Sequence, residues 1–318
     1  MSEKIPPRAP SALGRDDGEG EPLGNVKNVL VLISSAAHPA LNDGAIRCAV
    51  EVLRAQGAMV GAPDWLAPDI ACDIPFDGPS TGVAMTALDG VVVPAEGRRK
   101  KLLVADMEST LIENEMLDEL ADFLGLREKI AGITARAMNG EIDFAAALAE
   151  RVGLLKGLPV ARLDEASRRI RYMPGGATLV ATMKQHGASC ALVSGGFTYF
   201  TALVKHALGF DSDTANVLKY DGDRLAGTVE PPIVGKEAKL AMLQRLAAEQ
   251  GLSTGDAVSV GDGANDLPML KAAGLGVAFH AKPAVAAQVP ARIDHGDLRS
   301  LLYLQGYRLT DFVERKDP

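Results

Sequence analysis

Two short apolar runs in this sequence end in carboxylates. Leu102–Ala105 leads into Asp106-Met107-Glu108-Ser109-Thr110, and Ala257–Val260 leads into Gly261-Asp262-Gly263-Ala264-Asn265-Asp266. A third run, Cys190–Val193, leads into Ser194-Gly195-Gly196. If these runs are strands of one parallel sheet, the residues just past them meet at its carboxyl edge, where open α/β sheets bind ligands. A buried carboxylate is costly without a partner. Asp106, Glu108, Asp262 and Asp266 gathered on two strand ends call for a cation, and oxygen-only ligands favour a hard ion such as Mg2+. A carboxylate can also be a nucleophile. The Ser194 hydroxyl and the Gly195-Gly196 backbone, at a helix N-terminus, can hold phosphate oxygens. Chemistry done by positioning and charge suits phosphoryl transfer. Taken singly, each Asp reads equally well as a helix cap or turn former. The set as a whole does not.

The surrounding elements agree with that placement. Residues 1–25 are rich in Pro, Gly and charge and are expected to be a disordered tail. Val26–Ile33 reads as a buried strand, Asp43–Gln56 as a helix and Gly90–Pro94 as another strand. The Pro, Asp and Gly content of Ala62–Pro79 reads as loop. Glu96-Gly97-Arg98-Arg99-Lys100-Lys101 reads as a solvated linker between two domains. Beyond it, strands, including Gly276–Phe279, alternate with helical patterns near 198–208, 235–250 and 266–273. That alternation argues for a parallel sheet with helices on both faces. Between the first and second of these strands, Glu115–Leu124, Glu128–Met138, Phe144–Leu155 and Ala161–Tyr172 all read as helices, an insert large enough to be a cap at about 114–173. The expected fold is α/β: a doubly wound parallel sheet with a helical cap over residues 98–318, preceded by a small α/β domain over 26–97.

Composition excludes several functions. The chain has 318 residues with 41 acidic against 33 basic side chains, a net charge of −8, and only 4% aromatics. It lacks the basic face and stacking platforms of a nucleic-acid binder. Its three cysteines show no CxxC spacing, so neither a zinc site nor a disulfide framework is expected, and Cys190 reads as a core thiol. There is no GxxxxGK[ST] and no GxGxxG after a strand. The first residues have no apolar signal core, and the longest apolar runs, about six to eight residues, are far short of a membrane span. The expectation is a soluble, cytoplasmic protein with a small-molecule partner, no nucleic acid and no membrane. A homodimer stays open.

These segments resemble the haloacid-dehalogenase-like phosphatases, which carry DxDx[TV], a Ser/Thr, a Lys and GDxxxD. Within them the likeness is to the phosphoserine phosphatase family. It runs through Asp106–Ile112 with Glu115 and Leu117–Leu120, Val193–Phe197, Gly261–Asp266, Arg151–Pro159 and Phe279–Pro283. Even Ala62–Leu66 is similar to the N-terminal region of one bacterial branch. The resemblance implies a Rossmann-like core, O-phosphoserine as substrate, and an aspartyl-phosphate on Asp106. It implies Mg2+ on Asp106, Asp262 and the backbone carbonyl of Glu108, with Asp266 close by, either as a further ligand or just behind the ligands. Ser194 and Gly195 would hold the phosphoryl group, Asn265 would belong to the same substrate set, and Lys239 would hold the phosphate, with Lys236 as fallback. Glu115 would meet the substrate amino group and Arg151 its carboxylate, while Met138 and Phe144 would exclude water or simply pack. His280 and His295 read as structural histidines. The N-terminal domain resembles, weakly, ACT-like amino-acid-binding modules.

One residue departs from the family pattern. Glu108 stands where the family has Asp, the acid that protonates the leaving oxygen and then activates water. The intrinsic pKa is similar, but the side chain is one methylene longer, and misplacement by about 1 Å can cost ~10²-fold. A working but slowed phosphatase is expected. The alternatives are a phosphotransferase, a phosphatase for another small phosphorylated metabolite, and a weakened enzyme serving as an amino-acid-binding regulator.

Overall fold

The computed structural model describes residues 26–80, 82–83, 85–138 and 141–318, without the Met138 side chain. The tail expected at 1–25 lies outside the described residues. Strands β1 (Asn28–Ser34), β2 (Met59–Val60), β3 (Asp64–Ala67), β4 (Ala71–Asp77) and β5 (Leu88–Pro94) form a sheet of order β2-β4-β1-β5, with β3 also on β4. Alternate residues of β1 face opposite ways, as a pleat requires. Leu30 and Leu32 meet helix α1 (Asp43–Ala55) through Ile46, Ala49 and Leu53, while Val29, Val31 and Ile33 join the main core of the molecule. The Asn42 side chain caps α1 by accepting from the Ala45 N–H.

The stretch 62–79 is not a loop. It contains β3 and β4, and β4 is a central strand. Pro75 misleads because prolines belong to sheet edges. Here its carbonyl accepts from the Gly61 N–H at 2.8 Å, so its missing donor faces the side where β2 is only two residues long. The solvated-linker reading also fails at Arg98. That guanidinium is buried against the Asp73 carboxylate and donates to the Leu304 and Tyr303 carbonyls, because the inward face of β4 carries a charge that needs a partner.

The second sheet has the order β12-β11-β10-β6-β7-β8-β9, built from β6 (Leu102–Ala105), β7 (Ser189–Phe197), β8 (Ser212–Asp221), β9 (Arg224–Glu230), β10 (Ala257–Gly261), β11 (Leu275–Phe279) and β12 (Ala291–Ile293). All its pairings are parallel except the β8–β9 hairpin, which the sequence reading left unassigned. Leu102 and Val104 point toward helices α8 (Lys236–Glu249) and α9 (Leu267–Ala272). Leu103 and Ala105 point the other way, toward α6 (Gly176–Gln185), α7 (Thr198–Leu208) and α11 (Ser300–Leu304). A short helix, α10 (Pro283–Ala286), follows β11.

Among the described residues between β6 and α6 lie four helices, α2 (Met116–Asp122), α3 (Arg127–Met138), α4 (Phe144–Gly153) and α5 (Ala161–Ser167). The β8–β9 hairpin props them. Gly157 N–H donates to the Leu225 carbonyl, and Leu225 N–H donates back to Leu158. Among the described residues no helix is long and apolar enough to cross a membrane.

Candidate active site

Ladder register puts the strand ends on one level. Ala105 of β6 lies opposite Val260 of β10 and Leu192 of β7. Asp106, Gly261 and Val193 therefore stand on one level, with Asp262 and Ser194 one residue further on. Asp106, Asp262 and Asp266 are buried and bring carboxylate oxygens within 4.8 Å of one another. Lys239, reaching in from the first turn of α8, is wholly buried and closes on Asp106 at 2.7 Å and Asp266 at 2.6 Å. The fallback, Lys236, is exposed and pairs with Glu237.

Local sequence explains the placements. The Asp106 Oδ1 accepts from the Met107 N–H at 2.8 Å, and the Asp266 Oδ2 accepts from the Gly263 N–H at 2.9 Å. Gly261 has no side chain because a Cβ there would lie 2.5 Å from the Asp266 carboxyl carbon. Asn265 packs its Oδ1 over Gly263, where a Cβ would clash in the same way. Thr110 Oγ1 lies 3.5 Å from Asp262.

Electrostatics show what the cluster lacks. Burial, then the Asp266 charge, push Asp106 up to about 8 against the opposing pull of Lys239. Burial and Asp266 also push Asp262 up to about 6. Lys239 is held above its ordinary value by Asp106 and Asp266 in spite of burial. Three carboxylates crowd around Lys239, with the Lys282 charge also opposing the push on Asp262, and burial still holds Asp106 and Asp262 above the ordinary carboxylate range, so the site stays short of positive charge. A buried, oxygen-only donor set with that deficit fits a hard divalent cation.

Glu108 stands outside this cluster; its expected metal contact was through its backbone carbonyl. Its Oε1 accepts from the Met116 N–H at 2.8 Å, at the N-terminus of α2, where a carboxylate is favoured. Its Oε2 would lie 2.9 Å from a Cβ on Gly196, so glycine there makes room for it. Burial, then the Glu115 charge, push it well above the ordinary carboxylate range. Ser194 is fully buried, and its Oγ accepts from the Gly196 N–H at 2.9 Å.

The remaining expected residues belong to the cap segment. Phe144, at the start of α4, sets its ring 3.1 Å and 3.3 Å from where Gly235 and Gly195 would carry Cβ atoms, so it lies directly on both. Glu115 is exposed and accepts from Ser109 Oγ at 2.8 Å; Ser109 itself holds a left-handed φ of 55°. Arg151 donates to the Ala147 carbonyl and to Thr134, and the charges of Glu108, Glu115 and Asp118 oppose the effect of its burial. The Met138 side chain lies outside the described residues. His280 holds the Gly296 carbonyl through Nε2.

Sequence reading passed over Asn216, a buried amide on β8 that touches both the Ser194–Gly196 segment and the turn before α8. A lone Asn between Ala215 and Val217 gives no local signal of this. Lys239 did leave one: it shares a face with Leu243 and Ala247, at helical spacing, and all three are buried.

The profile of the haloacid dehalogenase-like hydrolases matches residues 103–271. The chain belongs to that family. Among curated members, a phosphoserine phosphatase of Streptomyces coelicolor is 41% identical over 229 residues, 71% of this chain and 56% of its own length. One from a Polaromonas species is 46% identical over 210 residues, 64% of this chain and 89% of its own. The chain thus spans little more than half of the first relative and most of the second. Among solved hydrolases of the family, the phospho-aspartyl intermediate analogue of a phosphoserine phosphatase superposes with a TM-score of 0.61 at 39% identity, covering 64% of this chain and 98% of that one.

Proposed function

We propose that this chain is a Mg2+-dependent phosphoserine phosphatase, hydrolysing O-phosphoserine to serine and phosphate in the cytoplasm. The observation that carries this is the buried Asp106–Lys239–Asp266 contact beside Asp262, at a strand edge roofed by a cap that bears Glu115 and Arg151. Asp106 and Asp262 would hold the cation with the Glu108 carbonyl. Asp266, with one oxygen on Lys239 and the other on the Gly263 N–H, would serve by fixing Lys239. When bound, Mg2+ offsets the negative charge that otherwise repels an anionic substrate.

The chain's own residues divide the remaining work. Asp106 attacks phosphorus as the bond to the serine oxygen breaks, and Glu108 gives that oxygen its proton. Glu108 then takes a proton from water as the water attacks the phospho-aspartate, releasing phosphate and restoring Asp106. Lys239, Ser194 and the Gly195 backbone hold the phosphoryl oxygens, with Asn265 at the rim. Glu115 and Arg151 read the ammonium and carboxylate of the substrate, the latter as a charge-assisted pair. Phe144 shuts water out over Gly195.

Phosphate release from phosphoserine, phosphothreonine and an aryl phosphate, with Mg2+ and with chelator, tests this reading. Phosphoserine should be preferred and chelation should stop the reaction. Arg151→Ala should raise KM for phosphoserine about 10–100-fold, as expected for losing a charged hydrogen bond, and leave the aryl phosphate nearly unchanged. Equal effects on both substrates would remove Arg151 from carboxylate recognition.

A further inference from the structure

The β7–β8 ladder breaks where the site begins. Its parallel register runs regularly to Val193 opposite Thr214, then resumes only at Phe197 opposite Asn216. Ser194, Gly195 and Gly196 fall in that gap. A bulge of this kind leaves backbone groups without ladder partners, and buried ones must find others. Here the Gly196 N–H turns to Ser194 Oγ, and the Gly195 carbonyl turns to one side chain of β8. The Asn216 Nδ2 donates to the Gly195 carbonyl at 2.8 Å and to the Val234 carbonyl at 3.3 Å, while its Oδ1 accepts from the Val234 N–H at 2.9 Å. Asn216 is 1% exposed, so no water competes for these bonds.

We infer that Asn216 is a positioning residue that fixes the phosphate-holding segment and the turn before Lys239 relative to each other. This inference rests on the proposed reading of Ser194 and Gly195. A carboxamide has the donor and acceptor of a peptide group, and here its donor replaces a ladder bond that the bulge removed. Its two targets are the segments that matter together. Gly195 follows Ser194, and Val234 precedes Gly235, the residue before α8 and Lys239. Phe144 rests on Gly195 and Gly235 at once, so the same amide also levels the floor on which the cap closes. Asparagine is the one side chain of this size that can donate to two carbonyls and accept from an N–H. The Asn216→Asp substitution would turn a carboxylate toward both carbonyls and would keep only the Val234 N–H bond.

The test compares the wild-type chain with Asn216→Asp, Asn216→Ala and Ser194→Ala. Inorganic phosphate binding is followed by calorimetry, phosphoserine turnover by phosphate release, and folding by melting temperature. At a temperature where every variant is folded, both Asn216 variants should weaken phosphate binding and lower kcat/KM by about 10–100-fold, the scale of a misplacement near 1 Å. Ser194→Ala combined with Asn216→Ala should lose little beyond Ser194→Ala alone, because both act through one segment. A lower melting temperature with phosphate binding and kcat/KM unchanged, or additive losses in the double variant, would overturn the inference. Amide hydrogen exchange reads the same point without turnover: protection should fall at 194–197 and 234–236 and hold elsewhere. If the wild type neither binds phosphate nor hydrolyses phosphoserine, the phosphatase reading fails. Unchanged exchange at those two segments would then still refute Asn216 as their fastener.

Discussion

The five-stranded sheet buries Asp73 and Asp89, and the edge of the seven-stranded sheet buries Asp106, Asp262 and Asp266. Burial alone does not separate the two groups; the partners do. Asp73 has Arg98 to itself, with a fork of hydrogen bonds that opposes the upward push of burial on its pKa. Asp89 accepts from the N–H groups of Asp294, His295 and Gly296 at 2.8–3.2 Å, a backbone nest in which a carboxylate is satisfied without any cation. At the other edge, Asp106 and Asp266 share Lys239, and Asp262 crowds beside them with no contact to that ammonium among the described residues. A buried acid is therefore no mark of a site. A buried shortage of positive charge is, and it is the first sheet's balanced pairs that make the shortage in the second stand out.

The largest effect should come from Asp106→Asn, which keeps the shape and removes the nucleophile. Phosphoserine turnover should fall below detection while melting temperature holds or rises, since one of the crowded charges is gone. Full turnover would end the aspartyl-phosphate mechanism. Lys239→Met comes next. It should abolish turnover and also destabilise, because breaking a buried pair leaves charges uncompensated at a cost of about 3–5 kcal/mol. Added Mg2+ should restore part of the melting temperature and none of the turnover. A melting curve indifferent to Mg2+ would break the comparison, since the edge would then behave like an ordinary ion pair.

Much of this was legible in the sequence, and the reasons are local. Apolar runs such as Leu102–Ala105 and Ala257–Val260 can only be buried strands, so the acids after them had to share an edge. The cap helices read clearly because each carries an apolar stripe. What stayed hidden depends on partners far away in the chain. Pro75 suggests a loop until Gly61 shows which side lacks a donor. Arg98 suggests a solvated linker until Asp73 is placed beside it, and Asn216 has no meaning until Gly195 and Val234 flank it. The roles expected of Glu115 and Arg151 came from family likeness, since neither forms an ion pair among the described residues that would mark it.

Arg98→Met supplies the matched control for Lys239→Met. It too strands a buried carboxylate, with side chains only 11% and 12% exposed across the pair, and should cost about 3–5 kcal/mol. Two carbonyls, of Leu304 and Tyr303, also lose their donor. The two variants should part company on Mg2+, which should leave the melting temperature of Arg98→Met no closer to wild type, and on kcat, which should stay intact wherever the protein is folded.

Asp89→Ala should have the smallest effect, and it probes the quieter half of the contrast. The carboxylate is lost along with its hydrogen bonds to the 294–296 turn, at about 1–3 kcal/mol. No counter-charge is stranded, because the donors are peptide N–H groups. The turn also holds His280 through the Gly296 carbonyl, and just beyond it the Lys282 N–H donates to the Asp262 carbonyl at 3.3 Å. If the two sheets are independent in function, melting temperature should fall while kcat and the Mg2+ dependence of turnover stay at wild-type values. A rise in the Mg2+ needed for half-maximal rate would show that the first sheet's balanced carboxylate also steadies the loop of the unbalanced one.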